Sequence, residues 1–437
     1  MKRFALLVGA LAVSASAHAQ DAAEFKNSGE FRVRYDNYLN KTATDNSQGE
    51  AETTARLKWN LGVRKGENIQ VFASLIHNST FGTGDSRNPS GGGTTNADLN
   101  SVGDENALVV SRAWGWWKAS DMVALKVGRF GIEIADGAVF AEDDYFAFPN
   151  THEGLNAAFD TGFAAINLYA VKVAELAQGA NNSDPETNRY ILSFDLKNMP
   201  EAIKMANVHV VQTNKDSTDD AAAAGSELGA ANWQHIGLTV GGDAMNILYK
   251  GTAAFQMGTF SKTTAQDTKL SANMFDLMVG YQMPETMNMK FTLNYHQDSG
   301  DSSADDKVET YQKLSYDSHN YAGLMDVVDW GNLTYIALGF GMMPAEDIEV
   351  GLGYYMFTAT KDAASDYGPA WNGAVSEKLD DKNIGSELDV YANKSYANDI
   401  KVGARFGMFM PGARLKDAAV KQDKNMMEAM LQASIGF

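Results

Sequence analysis

The chain contains no cysteine, which excludes a disulfide framework, a thiolate metal centre and a cysteine nucleophile. It has only eight prolines in 437 residues, and no low-complexity linker divides it. No apolar run approaches the roughly 20 residues that a membrane-spanning helix needs. Positive charge is short: 36 Lys and Arg stand against 55 Asp and Glu, for a net charge of −19. A nucleic-acid partner wants the opposite balance, so none is expected. Histidine is sparse too. His77, His152, His209, His235, His296 and His319 stand apart, with no HExxH or GxSxG pattern around them. The expectation is a protein that is not an enzyme and needs no cofactor.

The chain starts with an export leader. Lys2 and Arg3 form a basic head, Phe4 to Ala15 a short apolar stretch, and Ala17-His18-Ala19 a small-residue cleavage site. Residues 1–19 are read as a cleaved signal peptide and 20–437 as one outer-membrane domain. Losing Lys2 and Arg3 with the leader takes the net charge to −21. A chain this long is ordinarily two or three soluble domains. With no composition shift along it, a single large closed barrel fits better.

Apolar and polar residues alternate with period two, which marks strands with two different faces. Phe31, Val33 and Tyr35 oppose Arg32, Arg34 and Asp36; Leu57, Trp59 and Leu61 oppose Arg56, Lys58 and Asn60. Eighteen such segments are predicted, at 28–38, 53–64, 68–79, 107–119, 121–130, 152–160, 163–174, 188–197, 203–213, 231–240, 246–257, 269–282, 287–297, 331–341, 347–358, 385–394, 398–410 and 426–437. Their connections alternate long and short, as in a transmembrane antiparallel β-barrel with short periplasmic turns and long extracellular loops. A soluble sandwich gives no reason for that alternation. The last segment puts Ala429, Leu431, Ala433, Ile435 and Phe437 on one face and ends on the aromatic ring. Phe437 is therefore read as the signal for the outer-membrane assembly machinery. Tyr38, Phe81, Trp116, Trp117, Tyr169, Trp233, Tyr281, Tyr295, Trp330, Tyr354 and Tyr355 fall near segment ends and are read as an interfacial aromatic girdle.

Four stretches carry a family resemblance: GSELDVYANKSYANDIKVGARFGMFMPG from Gly385, SHNYAGLMDVVDWGNL from Ser318, VGRFGIEIADG from Val127 and FPNTHEGLNAAFD from Phe148. Together they resemble the alginate-export family of outer-membrane channels. The resemblance implies an eighteen-stranded barrel, monomeric in the membrane. Its namesake passes a polyanionic polysaccharide through an arginine-rich constriction, and many relatives are porins for other solutes.

In a channel the working surface is the lumen. Arg32, Arg34, Arg56 and Lys58 lie on the polar faces of two adjacent segments and are expected to form one basic ladder. Arg129 of the VGRF stretch is the next lumen candidate. Glu387 and Asp389 are expected to pair across strands with Lys401 and Arg405. Acid is concentrated in predicted outer loops, at AEDDYF, DSTDD, DSGDSSADD and KLDDK. An acidic mouth repels a polyanion over a Debye length of about 8 Å, which argues against alginate itself. Asp301, Asp305 and Asp306 are weak candidates for a divalent cation, because no run matches the calcium-loop pattern. The expected partners are outer-membrane lipid and small hydrophilic solutes or oligosaccharides, moved passively. The competing expectation is a structural or adhesive barrel with a plugged lumen and functional surface loops.

Overall fold

The computed structural model describes residues 23–40, 50–81, 108–175, 186–215, 230–261, 267–301, 307–362, 381–416 and 422–437. Its strands are β1 (Glu24–Leu39), β2 (Glu50–Lys65), β3 (Ile69–Phe81), β4 (Leu108–Lys118), β5 (Val123–Phe130), β6 (His152–Asp160), β7 (Ala164–Glu175), β8 (Glu186–Leu196), β9 (Ile203–Lys215), β10 (Ala231–Ala244), β11 (Ile247–Ser261), β12 (Asp267–Met283), β13 (Met289–Asp298), β14 (Lys307–Val308), β15 (Leu333–Ala345), β16 (Ile348–Ala359), β17 (Asn383–Tyr396), β18 (Ile400–Pro411) and β19 (Met426–Gly436). Among the described residues two single-turn helices join them, α1 (Ser318–Tyr321) and α2 (Ala413–Lys416).

Eighteen of these strands are long, and each pairs antiparallel with its neighbours around a closed sheet. β19 closes the ring on β1, from Glu30 opposite Gly436 to Leu39 opposite Met427. The backbone of Phe437 extends that seam by exchanging two hydrogen bonds with Gly29, at 2.7 and 3.0 Å. Closure leaves no unpaired sheet edge, which is the condition for strands to cross hydrocarbon. The chain thus forms a transmembrane β-barrel, and every one of the eighteen expected segments is a stave of it. The two-residue β14 is different: it pairs parallel with β12 and tethers a loop to the wall.

The period-two pattern decides which way each residue faces. Along β10, Ala231, Trp233, His235, Gly237 and Thr239 point inward and the residues between them point outward. On the outer surface, Leu57, Trp59, Phe291, Leu293, Leu338, Leu431 and Ile435 are all at least 40% exposed. Contact with lipid removes this apolar surface from water. Short turns at Met245-Asn246, Met287-Asn288 and Asn398-Asp399 have positive φ at both central residues, the geometry whose twist suits a two-residue hairpin. β10 runs on to Ala244, so the turn after it is the residue pair Met245-Asn246 itself.

Two long connections fold into the barrel and build a core there. The first insert, residues 131–151, contributes Ile132, Ile134, Ala138, Val139 and Phe140; the second, described over 299–301 and 307–332, contributes Tyr311, Tyr316, Tyr321, Val328 and Trp330. The aromatic girdle is corrected accordingly. Phe81, Trp117, Tyr281 and Tyr295 are exposed on the outer surface, but Trp233 and Trp330 are buried in the core and Tyr169 and Tyr355 pack against it. An interior that must be filled draws on the same large rings as an interface, and position near a strand end does not distinguish the two.

Candidate functional site

The lumen is narrowed where the inserts meet the wall. On β1 and β2, Arg32 stands opposite Arg56, and Glu30 opposite Lys58. Four like charges so close need acceptors, and the first insert supplies them. Arg32 donates to the carbonyls of Asp144 (3.2 Å) and Phe146 (2.9 Å), and Arg34 to that of Tyr145 (2.9 Å). Arg56, 2% exposed, donates to both of the Asp144 and Phe146 carbonyls and pairs with the carboxylates of Asp144 (3.1 Å) and Glu30 (2.7 Å). Lys58 closes on Asp144 at 2.7 Å. Gln432 of β19 accepts from Arg34 at 3.0 Å, so the closing strand borders the ladder. The Asp144 carboxyl is pushed up by burial, but Arg56 and Lys58 outweigh this and hold it below its ordinary value. The ladder therefore grips a loop: much of its donor capacity goes to one short stretch of backbone.

This overturns the reading of AEDDYF as acid at the outer mouth. Glu142 pairs with Arg112, and Asp144 with Arg56 and Lys58, inside the barrel. Buried cations need counter-charges, and the insert brings them in. Of the other acidic stretches, DSTDD lies outside the described residues, as do Asp305 and Asp306. Asp301 is buried, and among the described residues no three His, Asp or Glu side chains gather to hold a metal ion.

Arg129 is displaced from the lumen. It shares a face with Val127, which is 60% exposed, and pairs outside with Glu153 across β5 and β6. Lys126 takes the inward position, over the ring of Trp114 at 5.1 Å. The expected pairing of Glu387 and Asp389 with Lys401 and Arg405 does not form. Register sets Arg405 opposite Tyr391 and Lys401 opposite Ser395. Glu387 and Asp389 instead accept backbone N–H groups of the second insert, from Met325 at 3.0 Å and Leu324 at 3.2 Å. Gly323, at φ +95°, lets that backbone come close, because a Cβ there would strike the Glu387 carboxyl.

Arg405 reaches the second insert at His319. It donates to Nε2 of the ring, while Nδ1 donates to Asp326 at 3.0 Å. His319 stacks on Tyr145 of the first insert at 3.5 Å, and Arg34 covers the same Tyr145 ring at 4.1 Å. The two inserts are thus interlocked, and Tyr321 ties them again by donating to the Asp136 carbonyl at 2.9 Å. Burial lowers the His319 pKa, and Arg405 lowers it further against the pull of Asp326. Burial, with Asp317 and Asp326 close by, pushes Asp143 the other way, up to about 7.

Two more clasps fix the second insert, and neither carried a sequence signal. His296 lies between Asp276 (3.2 Å) and Asp298 (3.4 Å), and its ring is sandwiched by Trp330 (4.3 Å) and Tyr335 (4.9 Å). Asp298 also accepts the N–H groups of Gly331 and Leu333, at 2.7 and 2.5 Å. On the neighbouring wall, His209 and His235 join through their Nε2 atoms at 3.1 Å, and Gln256 links His235 to the Gln312 backbone, donating to its carbonyl at 2.6 Å and accepting from its N–H at 2.8 Å.

Between the inserts and the wall lie two cavities, of about 520 and 190 Å³, which share Lys290, Thr292, Gly339 and Tyr355 in their linings. The larger has six carboxylates on its wall, Glu133, Asp136, Glu142, Asp143, Asp144 and Asp317, against Lys250 and Lys290. Lys250 is held by Asp136 (2.7 Å) and the Tyr321 hydroxyl (2.8 Å). Lys250 and Lys290 lie on the polar faces of β11 and β13, so the alternation that marks the ladder marks them too.

A family model described as alginate export matches residues 23–429. Among solved structures, the chain is similar to the Pseudomonas aeruginosa outer-membrane protein OpdK, with 11% identity over 95% of this chain and 98% of that one and a TM-score of 0.62. It is similar to P. aeruginosa OccK2 in complex with glucuronate, at 10% identity over 95% and 98% and a TM-score of 0.61. It is also similar to Acinetobacter baumannii OccAB4, at 13% identity over 96% and 99% and a TM-score of 0.61. At such identities the likeness is one of fold. No curated protein sequence matches the chain.

Proposed function

The chain belongs to the alginate export family, and from that premise we propose that it is an outer-membrane channel for the passive diffusion of small hydrophilic solutes, sugar acids among them. The observation that carries the reading is the pair of adjoining lumen cavities, bounded by Lys250 and Lys290 on the wall and by the carboxylates of the first insert. Charges of both signs facing one cavity hold water and create a field across the solute path. A cavity of about 520 Å³ has the size of small-molecule sites generally. The structure of OccK2 with glucuronate supports a sugar acid as the first solute to try. A polyanionic chain is a poorer fit, because six carboxylates line the passage and the ladder cations are engaged by the first insert.

Selection in this reading has two parts. The inserts set the size limit, and the charged walls filter what passes. Arg32, Arg34, Arg56 and Lys58 set the width by holding the first insert; Glu387, Asp389 and Arg405 do the same for the second, and Lys401 meets solutes in the open lumen. Cleavage after residue 19 and recognition of Phe437 by the assembly machinery would deliver the chain, as a monomer, to the outer membrane.

The test is conductance of the purified protein in a planar bilayer, followed by reversal potential in a salt gradient and block by glucuronate. The expected result is small, weakly selective current that glucuronate reduces. Insertion without current would overturn the channel reading and favour the adhesive barrel with a plugged lumen.

A further inference from the structure

On the wall away from the ladder, three polar side chains converge without partners. Arg189 of β8 points inward, on the same face as Ile191 and directly opposite Thr213 of β9. Its Nε and Nη1 atoms are shielded from solvent and meet no acceptor. Thr213 is 3% exposed, and its hydroxyl is likewise unpartnered. His152, at the start of β6, is 5% exposed, and its Nδ1 makes no hydrogen bond. Phe140 of the first insert brings the group together. The Arg189 guanidinium sits 5.6 Å over its ring, and the His152 ring meets it edge-on at 5.7 Å.

Most of the remaining neighbours are apolar, with the buried His235 of β10 opposite Val211. Val171 flanks Arg189 on β7, Val211 lies two residues along from Thr213, and Trp233 stands opposite Thr213 on β10. Among the described residues no carboxylate lies close enough to act on the Arg189 charge. Arg189 is partly buried, with Nε and Nη1 shielded from water, and a guanidinium so placed is costly unless something of opposite sign answers it. Every other lumen arginine described above has found a carboxylate, a carbonyl, an amide or an imidazole. Arg189 has an aromatic face, a hydroxyl and an imidazole, the groups that line a small anion rather than replace one.

We propose that Arg189, Thr213 and His152 form an anion-binding site beneath Phe140, which takes a small monovalent anion, a halide or a carboxylate group. The guanidinium supplies charge and two N–H donors, the Thr213 hydroxyl a third donor, and His152 a fourth when Nδ1 carries its proton. Occupancy would seat Phe140 and so brace the first insert from the side opposite the ladder. The site does not depend on the channel reading, since it can be filled in a barrel that passes nothing.

The test uses the full mature chain in detergent micelles. Thermal unfolding is followed while chloride or acetate replaces a bulky organic sulfonate at fixed sodium concentration. Ligand linkage predicts a saturable rise in Tm, on the order of 1–3 °C. In Arg189→Gln the rise should vanish; in Arg189→Lys it should survive in part. Lys394→Gln, on β17 where the side chain pairs with Asp347, should retain it. A response to acetate alone assigns the site to carboxylates, and one to chloride alone assigns it to halides. An unchanged Tm in the parent protein, or the same response in Arg189→Gln, overturns the proposal. A protein that shows the anion response yet carries no current would sink the channel and leave this site standing.

Discussion

Replacing Arg56 with Gln tests the idea that the basic ladder is a clamp. The guanidinium is almost wholly buried and touches the first insert through the Asp144 and Phe146 carbonyls and the Asp144 carboxylate. A hydrogen bond to a charged group contributes about 1.5–3 kcal/mol. Not all of this is lost, for Arg32 still donates to the same two carbonyls and Lys58 still holds Asp144. The Asp144 side chain is also 39% exposed, which weakens its ion pair. A net loss of about 2 kcal/mol from the docked insert is reasonable, which raises the undocked population about 30-fold. In single-channel records, Arg56→Gln should show more frequent, larger openings while the barrel stays folded. Lys401→Gln, exposed and opposite Ser395, should change ion selectivity without changing opening frequency. If Arg56→Gln opens no more often than the parent and only its reversal potential moves, the ladder is a selectivity filter and the clamp is wrong.

The interlocked inserts carry two titrations of opposite sign. His319 has a lowered pKa when docked, so an undocked ring binds more protons below about pH 6.5, and acid loosens the inserts. Asp143 is raised to about 7 when docked, so the docked state binds more protons from there down to the ordinary carboxylate range, and acid tightens them. Asp143→Asn should therefore open more readily as pH falls from 7.5 to 5.5, and His319→Gln less readily; parallel slopes in the two variants would refute both assignments. Trp330→Ala removes a buried ring stacked on His296 and Tyr316, at a cost of about 3–5 kcal/mol. Limited proteolysis should then cut the second insert while the barrel keeps its folded mobility on a gel, and resistance equal to the parent would count against the clasp. Deleting Phe437 removes both Gly29 hydrogen bonds at the closing seam and the terminal ring. Outer-membrane yield should fall severalfold, and an unchanged yield would deny the residue its assembly role.

The eighteen staves were legible because a barrel stave imposes period two on its own residues. Lipid on one side and lumen on the other leave a local record, and Phe31 against Arg32 is enough to read it. The ladder was legible for the same reason: Arg32 and Arg56 needed only face and adjacency. Arg129 shows where this runs out, since Lys126 and Arg129 lie three apart and face opposite ways, and only the neighbouring Phe130 and Val127 separate them. The inserts left no such record. A loop that enters the lumen and one that stays outside both read as polar, glycine-bearing stretches, and AEDDYF looked like any acidic mouth. What brought it inward was the demand of buried cations 30 to 112 residues away for counter-charges.

By itself, the sequence determined the barrel, its strand number, the facing of clearly alternating strands such as β1 and β2, and the position of the closing seam, all of which follow from local alternation and chain length. Only the tertiary structure decided that the lumen is narrowed, that the ladder holds a loop, that His319 and Tyr145 lock two inserts together and that Arg189 is left with Thr213 and His152. Those are contacts between residues far apart in the chain, chosen by which charges and rings must be satisfied in a shared interior, and no local pattern encodes them.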